Sequence, residues 1–256
     1  MKLKLLRNAA MRLEYAGRQI ITDPYLAAKF TRPSYTGKSP NPLVDLPCSP
    51  EEAIAGAEAA IISHLHSDHF DTAGQQLLPK DTLIFCQPED AAKLREKGFQ
   101  RLTLVVEETS WEGISIRRTP GQHGSGGVLG EMGTVSGFVL RASGEPTVYW
   151  VGDSIWYAAV AEVIQQENPD VIITHSSGAV WGDQVLIVMD AAQTVSVCRA
   201  APDSKVIAVH MEALDHGTTS RVELREVANA AGIRPDQLLI PADGEEMSFS
   251  SFRQNT

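Results

Sequence analysis

The fold of this chain is decided by one stretch, Ala59-Ala60-Ile61-Ile62-Ser63-His64-Leu65-His66-Ser67-Asp68-His69. Its first part is a short apolar run, which is typical of a buried strand. Its second part concentrates histidine and aspartate side chains, the common ligands of zinc-like ions. Burying such groups without partners is costly, and a bound ion supplies the partners. The stretch therefore predicts a buried strand that ends at a metal site.

Further ligand-type side chains follow other predicted strands or lie in glycine-rich loops. They are His123, Asp153, His175 and His210. Ligands gathered from the ends of several strands suit a binding site at the edge of a sheet. The sequence contains no Gly-x-Ser-x-Gly motif, so it gives no support to a hydrolase with a serine nucleophile of that class.

Composition and charge narrow the classes of partner. The 256 residues carry a formal net charge of -10, and an acidic surface repels nucleic acid phosphates and anionic membranes. No apolar signal segment or membrane-spanning run is visible. The three cysteines have no CxxC spacing, which favours a reducing compartment. We therefore expect a cytoplasmic protein with no nucleic acid or membrane partner.

The order of predicted elements is similar in the two halves of the chain. Short strands come first, strands alternating with helices follow, and no linker separates the halves. This pattern predicts a single domain over residues 1–256, with sheets inside and helices outside. Two segments, 24–50 and 121–133, are predicted to be long loops that shape the pocket of the site.

The motifs together resemble those of the metallo-β-lactamase superfamily. They are Ser63-His64-Leu65-His66-Ser67-Asp68-His69-Phe70-Asp71, then His123, Gly152-Asp153-Ser154 and His210. The segment Ile21-Thr22-Asp23-Pro24-Tyr25-Leu26 is similar to one in the branch of ascorbate-6-phosphate lactonase-like hydrolases. The resemblance covers nearly the whole chain. It implies an α/β fold, the four-layer αβ/βα sandwich (metallo-β-lactamase fold) with mixed sheets inside and helices outside.

The same resemblance implies a binuclear metal centre with two divalent ions. Its ligand sets would be His64, His66 and His123 for the first ion and Asp68, His69 and His210 for the second, with Asp153 bridging both. Zinc is the first expectation, and manganese and iron accept the same ligand types. In such a centre a bridging water becomes the attacking hydroxide. Asp68 is then the expected catalytic residue, which orients this water or accepts its proton.

This centre predicts a metal-dependent hydrolase that acts on a small ester or lactone. The substrate is either neutral or anionic. The first alternative is a phosphodiesterase or nuclease of the same superfamily, although the acidic chain offers no basic track. A non-catalytic metal-binding protein is a weaker alternative, because all of the implied ligand positions are filled. The expected partner is a small-molecule substrate, and the formation of a homo-oligomer stays open.

Some residues near the predicted ligands have less certain roles. His175 and His216 are predicted to bind substrate. Asp23 either braces a ligand histidine or opens a turn, and Asp190 is predicted to cap a helix. The chain differs from many members of the resembled branch at Asn8-Ala9-Ala10, where they carry a histidine. Two tryptophans are candidates for an apolar wall of the pocket: Trp156 and Trp181.

Overall fold

Two seven-stranded sheets face each other in the computed structural model, which describes residues 1–250 of the chain. The first sheet contains β1 (Lys2–Arg7), β2 (Ala10–Tyr15), β3 (Arg18–Thr22), β4 (Ala59–Ile62), β5 (Leu83–Cys86), β6 (Arg101–Leu104) and β16 (Glu246–Ser248). The second contains β7 (Glu108–Trp111), β8 (Ile114–Pro120), β9 (Ser136–Arg141), β10 (Val148–Gly152), β11 (Val171–His175), β14 (Lys205–Val209) and β15 (Leu238–Leu239). A small separate hairpin pairs β12 (Val180–Trp181) with β13 (Val185–Leu186).

The helices are short. They are α1 (Pro50–Ile54), α2 (Thr72–Leu77), α3 (Ala91–Glu96), α4 (Val128–Met132), α5 (Ala158–Glu167), α6 (Ala191–Ala200) and α7 (Arg221–Ala230). A 3-10 turn over Pro88–Asp90 leads into α3. Within residues 1–250, none of them is long and apolar enough to cross a membrane.

Three hydrophobic clusters separate the layers of the fold. The inner cluster joins the facing sheets, for example Leu13 and Ile61 of the first to Phe138 and Val171 of the second. A second cluster packs α1, α2 and α3 against the outer face of the first sheet. A third packs α5, α6 and α7 against the outer face of the second sheet. The order helix, sheet, sheet, helix confirms the predicted four-layer αβ/βα sandwich.

Burial on both faces explains why the central strands are continuous apolar runs. In β14, Ile207 and Val209 point into the inner cluster, whereas Val206 and Ala208 point into the outer one. Successive side chains of a strand point to opposite faces, so a strand between two apolar layers needs apolar residues at every position. The run before the histidine motif, β4, follows the same rule.

The carboxyl ends of the parallel strands create the edge on which the site is built. In the first sheet β3, β4, β5 and β6 are parallel, and in the second β10, β11, β14 and β15 are parallel. Asp23 follows β3, Ser63 follows β4, Asp153 follows β10 and His210 follows β14. Polar side chains that are distant in sequence therefore reach one place, as expected for ligand sites at strand ends.

The predicted loop over residues 24–50 is held in place by a buried arginine. The loop contains no helix or strand before α1 begins at Pro50. Arg7 is fully buried, and its guanidinium donates to the carbonyl oxygens of Tyr25, Ala27 and Val44 at 3.0, 2.8 and 3.1 Å. Because these loop carbonyls have no strand partner, the arginine satisfies them and fixes the path of the loop.

Gly152 joins β10 to Asp153 in a conformation that favours glycine. Its φ is 71°, and an added Cβ would lie 2.7 Å from the carbonyl oxygen of Ser136. Gly113 offers a matched control, because its φ is 81° but an added Cβ would meet nothing within 4 Å.

We expect Gly152→Ala to lower the free energy of unfolding by about 2–4 kcal/mol, because left-handed strain adds to overpacking. Gly113→Ala should cost about 1–2 kcal/mol, from the backbone strain alone. Urea unfolding of the metal-free proteins measures both values. Equal losses in the two variants would show that the close approach to Ser136 is not a constraint.

Candidate metal centre

Histidine and aspartate side chains converge at the strand edge in two groups that share Asp153. In each group the ligand atoms lie within 4.8 Å of one another; the first is His64, His66, His123 and Asp153, and the second is His69, Asp153, His175 and His210. Asp68 adjoins the second group, with its Oδ2 3.4 Å from His210 Nε2 and 3.6 Å from His69 Nε2. All seven predicted ligands are thus brought together, and their role as ligands stays a prediction.

Asp153 occupies the centre of this arrangement. Its Oδ2 lies 3.1 Å from His69 Nε2, 3.4 Å from His123 Nε2 and 3.8 Å from His64 Nε2. One oxygen therefore faces imidazoles of both groups. This is the location that the resemblance implies for a bridging carboxylate.

The proton of His64 can be placed from its neighbours. Ser63 Oγ lies 2.5 Å from Asp23 Oδ2 and 3.0 Å from His64 Nδ1. An ionised carboxylate only accepts, so the single hydroxyl proton of Ser63 is donated to Asp23. The serine oxygen must then accept a proton from His64 Nδ1. The Nε2 of His64, on the opposite side of the ring, consequently carries a lone pair.

Two more imidazoles are oriented in the same way. His69 Nδ1 donates to Asp23 Oδ2 at 2.7 Å, and His123 Nδ1 donates to the carbonyl oxygen of Ile187 at 2.8 Å. In proteins that bind metal, ligand histidines commonly donate their other N–H to a carboxylate or a carbonyl. Asp23 also opens a turn, with Tyr25 N donating to its carbonyl at 2.7 Å. Both roles considered for Asp23 are therefore present.

The resulting donor set fits a divalent cation. With their Nδ1 protons committed, His64 and His123 direct Nε2 lone pairs toward Asp153 Oδ2, and His69 directs its Nε2 toward the same oxygen. His64 Nε2 is buried and has no hydrogen-bond partner. A cation among these atoms would satisfy the lone pairs and the carboxylate together, and imidazole with carboxylate is a ligand set for zinc, manganese or iron.

The charges of the cluster also favour a cation. Burial opposes ionisation of Asp68 and Asp153, but the surrounding histidines outweigh it and hold both pKa values well below the ordinary range. Burial lowers the pKa of His64 well below its ordinary value, so this ring is neutral, as a ligand must be. Burial has the same effect on His69, but neighbouring carboxylates overcome it and raise the pKa well above the ordinary value. The metal-free centre thus holds a positive charge on His69 itself, and a bound cation would take the place of its Nε2 proton.

His175 lies on the buried side of Asp153, although it was predicted to touch substrate. Its Nδ1 is 2.5 Å from Asp153 Oδ1, and its Nε2 accepts from Trp150 Nε1 at 2.9 Å. Burial lowers its pKa to about 4, and the hydrogen bond with Asp153 opposes this shift only in part. Both ring nitrogens are therefore occupied, so a ligand role does not suit His175 despite its closeness to the second group.

The open side of the centre is a cavity of about 250 Å³. It is lined by Tyr35, His66, Ser67, Asp68, His123, Glu131, Met132, Asp153, Trp181, Ile187 and His216. His216, the other predicted substrate residue, lies here, and so does Trp181. The second tryptophan, Trp156, packs against the outer hydrophobic cluster instead. None of the lining residues, all from the described part of the chain, is lysine or arginine.

Tyr35 reaches the cavity because its loop is fastened to the segment that carries His216. Asp215 accepts hydrogen bonds from Tyr35 N at 3.0 Å, from Thr36 N at 3.1 Å and from Asn41 Nδ2 at 2.9 Å. The Tyr35 ring then meets the His216 ring edge to face, with centroids 4.8 Å apart. The spacing of aromatic residues in the loop gave no signal for this contact, which depends on a residue 180 positions away.

Asn8 is a further residue whose role the sequence did not reveal. The side-chain Nδ2 of Asn8 donates to the main-chain carbonyl oxygen of Asp68 at 2.9 Å. The main-chain carbonyl oxygen of Asn8 accepts from His210 N at 3.0 Å. Asn8 thus links the histidine motif to the ligand of the second half. The only available signal was that this position departs from the histidine found in many members of the resembled branch. Asp190, by contrast, caps α6 as predicted, accepting from Gln193 N.

Comparisons with known proteins identify the family of the chain and similar folds. The family described as beta-lactamase superfamily domain matches residues 18–211. The UPF0173 protein YddR of Bacillus subtilis (strain 168) is 35% identical over 255 residues, which cover 97% of this chain and 100% of the relative. An isothiocyanate hydrolase from Delia radicum gut bacteria is 36% identical, with a TM-score of 0.91 over 98% of this chain and 100% of that one. A possible metal-dependent hydrolase from Veillonella parvula DSM 2008 is 31% identical, with a TM-score of 0.93 over 97% and 99%.

The brace formed by Asp23 gives a testable prediction. Asp23→Asn removes the charge that accepts from Ser63 and His69, so we expect metal affinity to fall about 10–100-fold. Competition with a chromophoric chelator measures it. Asp190→Asn is the matched control, because asparagine caps a helix about as well as aspartate and the affinity should not change. Unchanged metal binding in Asp23→Asn would contradict the bracing role.

Proposed function

Because the chain belongs to the beta-lactamase superfamily and is a metal-dependent hydrolase, we propose that it uses two divalent ions to hydrolyse a small, uncharged electrophile with an apolar substituent. The observation that carries the proposal is the lining of the cavity beside the metal centre. Aromatic and aliphatic side chains stand opposite the histidine cluster, and none of the lining residues, all from the described part of the chain, is lysine or arginine.

The residues that would hold the ions come from the two groups that share Asp153, with Asp68 in place of His175. His64, His66 and His123 would hold one ion, and Asp68, His69 and His210 the other. Zinc is the first expectation, with manganese and iron as alternatives. When bound, such ions lower the pKa of water and stabilise the negative charge that develops on the substrate. The clustering of imidazole and carboxylate at one shared oxygen supports a centre of two ions.

Asp68 is the residue best placed to handle the proton of the attacking water. It lines the cavity, and although burial opposes ionisation, neighbouring histidines hold its pKa well below the ordinary range, so it is ionised and can accept a hydrogen bond that orients the water. Its main chain is held by Asn8, which limits its movement. A positioned carboxylate of this kind contributes about 10²–10⁴-fold to the rate by general base catalysis.

The cavity favours a neutral substrate over an anionic one. Tyr35, Met132, Trp181 and Ile187 supply an apolar surface. Glu131 adds a negative charge at the rim, where it accepts a hydrogen bond from Trp181 Nε1 at 3.1 Å. An anionic ester, a phosphodiester or a nucleic acid would need cationic partners, and the lining offers none beyond the bound ions. The lining therefore gives no support to an anionic ester or lactone, or to the alternative of a phosphodiesterase or nuclease.

An isothiocyanate is the electrophile that we place first. The relative that is 36% identical over nearly the whole chain is an isothiocyanate hydrolase. Water adding across the C=N bond forms a C–O bond and puts a proton on nitrogen, giving a thiocarbamic acid. Its C–N bond then breaks as the hydroxyl proton moves to nitrogen, releasing an amine and carbonyl sulfide. The central carbon would face Asp68, and the organic substituent would lie against Trp181 and Tyr35.

The proposal is tested with metal-loaded protein and three probes: phenyl isothiocyanate, its anionic 4-carboxy analogue and phenyl acetate. We expect amine and carbonyl sulfide to be released fastest from the neutral isothiocyanate. Asp68→Asn should lower kcat/KM at least about 100-fold, because the base is lost. No turnover of phenyl isothiocyanate, or a clear preference for the anionic probe, would refute the proposed substrate class.

Trp181 provides a separate prediction on specificity. Trp181→Ala should raise KM for phenyl isothiocyanate about 10-fold, because an aromatic surface that buries the ring is worth about 1–3 kcal/mol. Methyl isothiocyanate is the matched control, since it has no ring to bury and its KM should change little. Equal changes for both substrates would mean that Trp181 does not contact the substituent.

A further inference from the structure

We propose that His175 is a positioning residue that fixes Asp153, so that the Oδ2 of this carboxylate stays between the two ion sites. This inference rests on the two-ion centre proposed above and concerns residues that do not touch the substrate. It follows from a chain of three buried side chains, Trp150, His175 and Asp153, that runs from the inner hydrophobic cluster to the centre.

The direction of each hydrogen bond in this chain is determined. An indole N–H can only donate, so Trp150 donates to His175 Nε2, 2.9 Å away. The Nε2 of His175 is therefore an acceptor, and in the neutral ring the proton lies on Nδ1. That nitrogen is 2.5 Å from Asp153 Oδ1, and the carboxylate accepts the proton's hydrogen bond. Trp150 thus selects the tautomer of His175 that can hold Asp153.

The hydrogen bond between His175 and Asp153 Oδ1 fixes the direction in which Asp153 Oδ2 points. The imidazoles of His64, His69 and His123 all approach Oδ2, at 3.8, 3.1 and 3.4 Å, whereas His210 Nε2 lies 3.7 Å from Oδ1. A carboxylate that could rotate would exchange its oxygens between the two groups. With Oδ1 tied to His175, Asp153 keeps Oδ2 between the groups.

The burial of His175 and Trp150 supports a positioning role for His175. His175 is 1% exposed and Trp150 is 3% exposed, and the cavity lining includes neither. A buried imidazole costs stability unless its hydrogen bonds are satisfied, and here both nitrogens are satisfied in only one orientation. The His175 ring also stacks on His210, with centroids 4.9 Å apart, so the same residue supports a predicted ligand of the second ion.

Three variants test separately the two hydrogen bonds that link Trp150, His175 and Asp153. His175→Phe keeps a ring but removes the donor to Asp153. His175→Asn restores a donor, since its side-chain amide nitrogen is as many bonds from Cα as Nδ1 is. Trp150→Phe leaves His175 in place and removes only the bond that selects its tautomer. Tyr149→Phe is the matched control, because Tyr149 is an equally buried neighbour that points into the outer cluster.

The readout is the binding of Co²⁺ and Zn²⁺ to metal-free protein, by calorimetry and by the visible spectrum of the cobalt form. We expect two ions in the wild type, and in His175→Phe an affinity about 10–100-fold weaker for at least one of them, with an altered cobalt spectrum. His175→Asn should recover part of the affinity, Trp150→Phe should lose less than His175→Phe, and Tyr149→Phe should match the wild type. Wild-type affinities and spectrum in folded His175→Phe would overturn the inference.

A second measurement decides the question if the His175 variants do not fold. Nitrogen-15 NMR of the metal-free wild type should show His175 neutral, with its proton on Nδ1. A proton on Nε2 would overturn the positioning role. Binding of a single ion by the wild type would instead overturn the proposed two-ion function, and the tautomer of His175 would still decide whether it holds Asp153.

Discussion

The placement of the Asp153 carboxylate among histidines from both halves of the chain is the constraint on which the site depends. Its Oδ2 faces His64, His69 and His123, and its Oδ1 is held by His175. This is achieved because parallel strands of two facing sheets end at one edge, so that side chains far apart in sequence reach a common point. The hydrophobic layers inside and outside each sheet make that edge rigid, and a carboxylate among imidazoles needs such rigidity to keep its geometry.

Around this carboxylate, protein groups commit the protons of the imidazoles. Asp23 accepts from Ser63 and His69, Ser63 accepts from His64, and the carbonyl of Ile187 accepts from His123. The bonds of His64 and His123 leave an Nε2 lone pair on the inner side, and His69 would present one when a cation replaces its Nε2 proton. The buried polar groups that would otherwise destabilise the fold are thereby arranged as a ligand set, and their cost is offset when a cation is bound. Stability and metal binding are coupled through the same hydrogen bonds.

The metal centre and the cavity are built by different parts of the chain. Strand ends supply the ligands, whereas the wall of the cavity comes from the loop that carries Tyr35, from α4 and from the small hairpin with Trp181. Asp215 and Arg7 fasten the long loop at separate points, which lets an irregular segment present Tyr35 in a defined position. Reaction type and substrate preference can therefore change independently, because loop residues can vary without disturbing the strand edge.

The sequence by itself determined the class of fold and predicted the main ligand residues, because these signals are local. A short apolar run before His64, repeated ligand-type residues at strand ends and the motif order are readable without contacts, and most strands of both sheets followed from their apolar runs. Short polar strands such as β16 were missed, since their pairing with β1 depends on long-range contact. Only the tertiary structure decided that His175 lies behind Asp153, that Asn8 joins Asp68 to His210, and that Tyr35 meets His216. Folding brings together neighbours from distant parts of the sequence. These neighbours decide which nitrogen of an imidazole carries the proton and which oxygen of a carboxylate accepts a hydrogen bond.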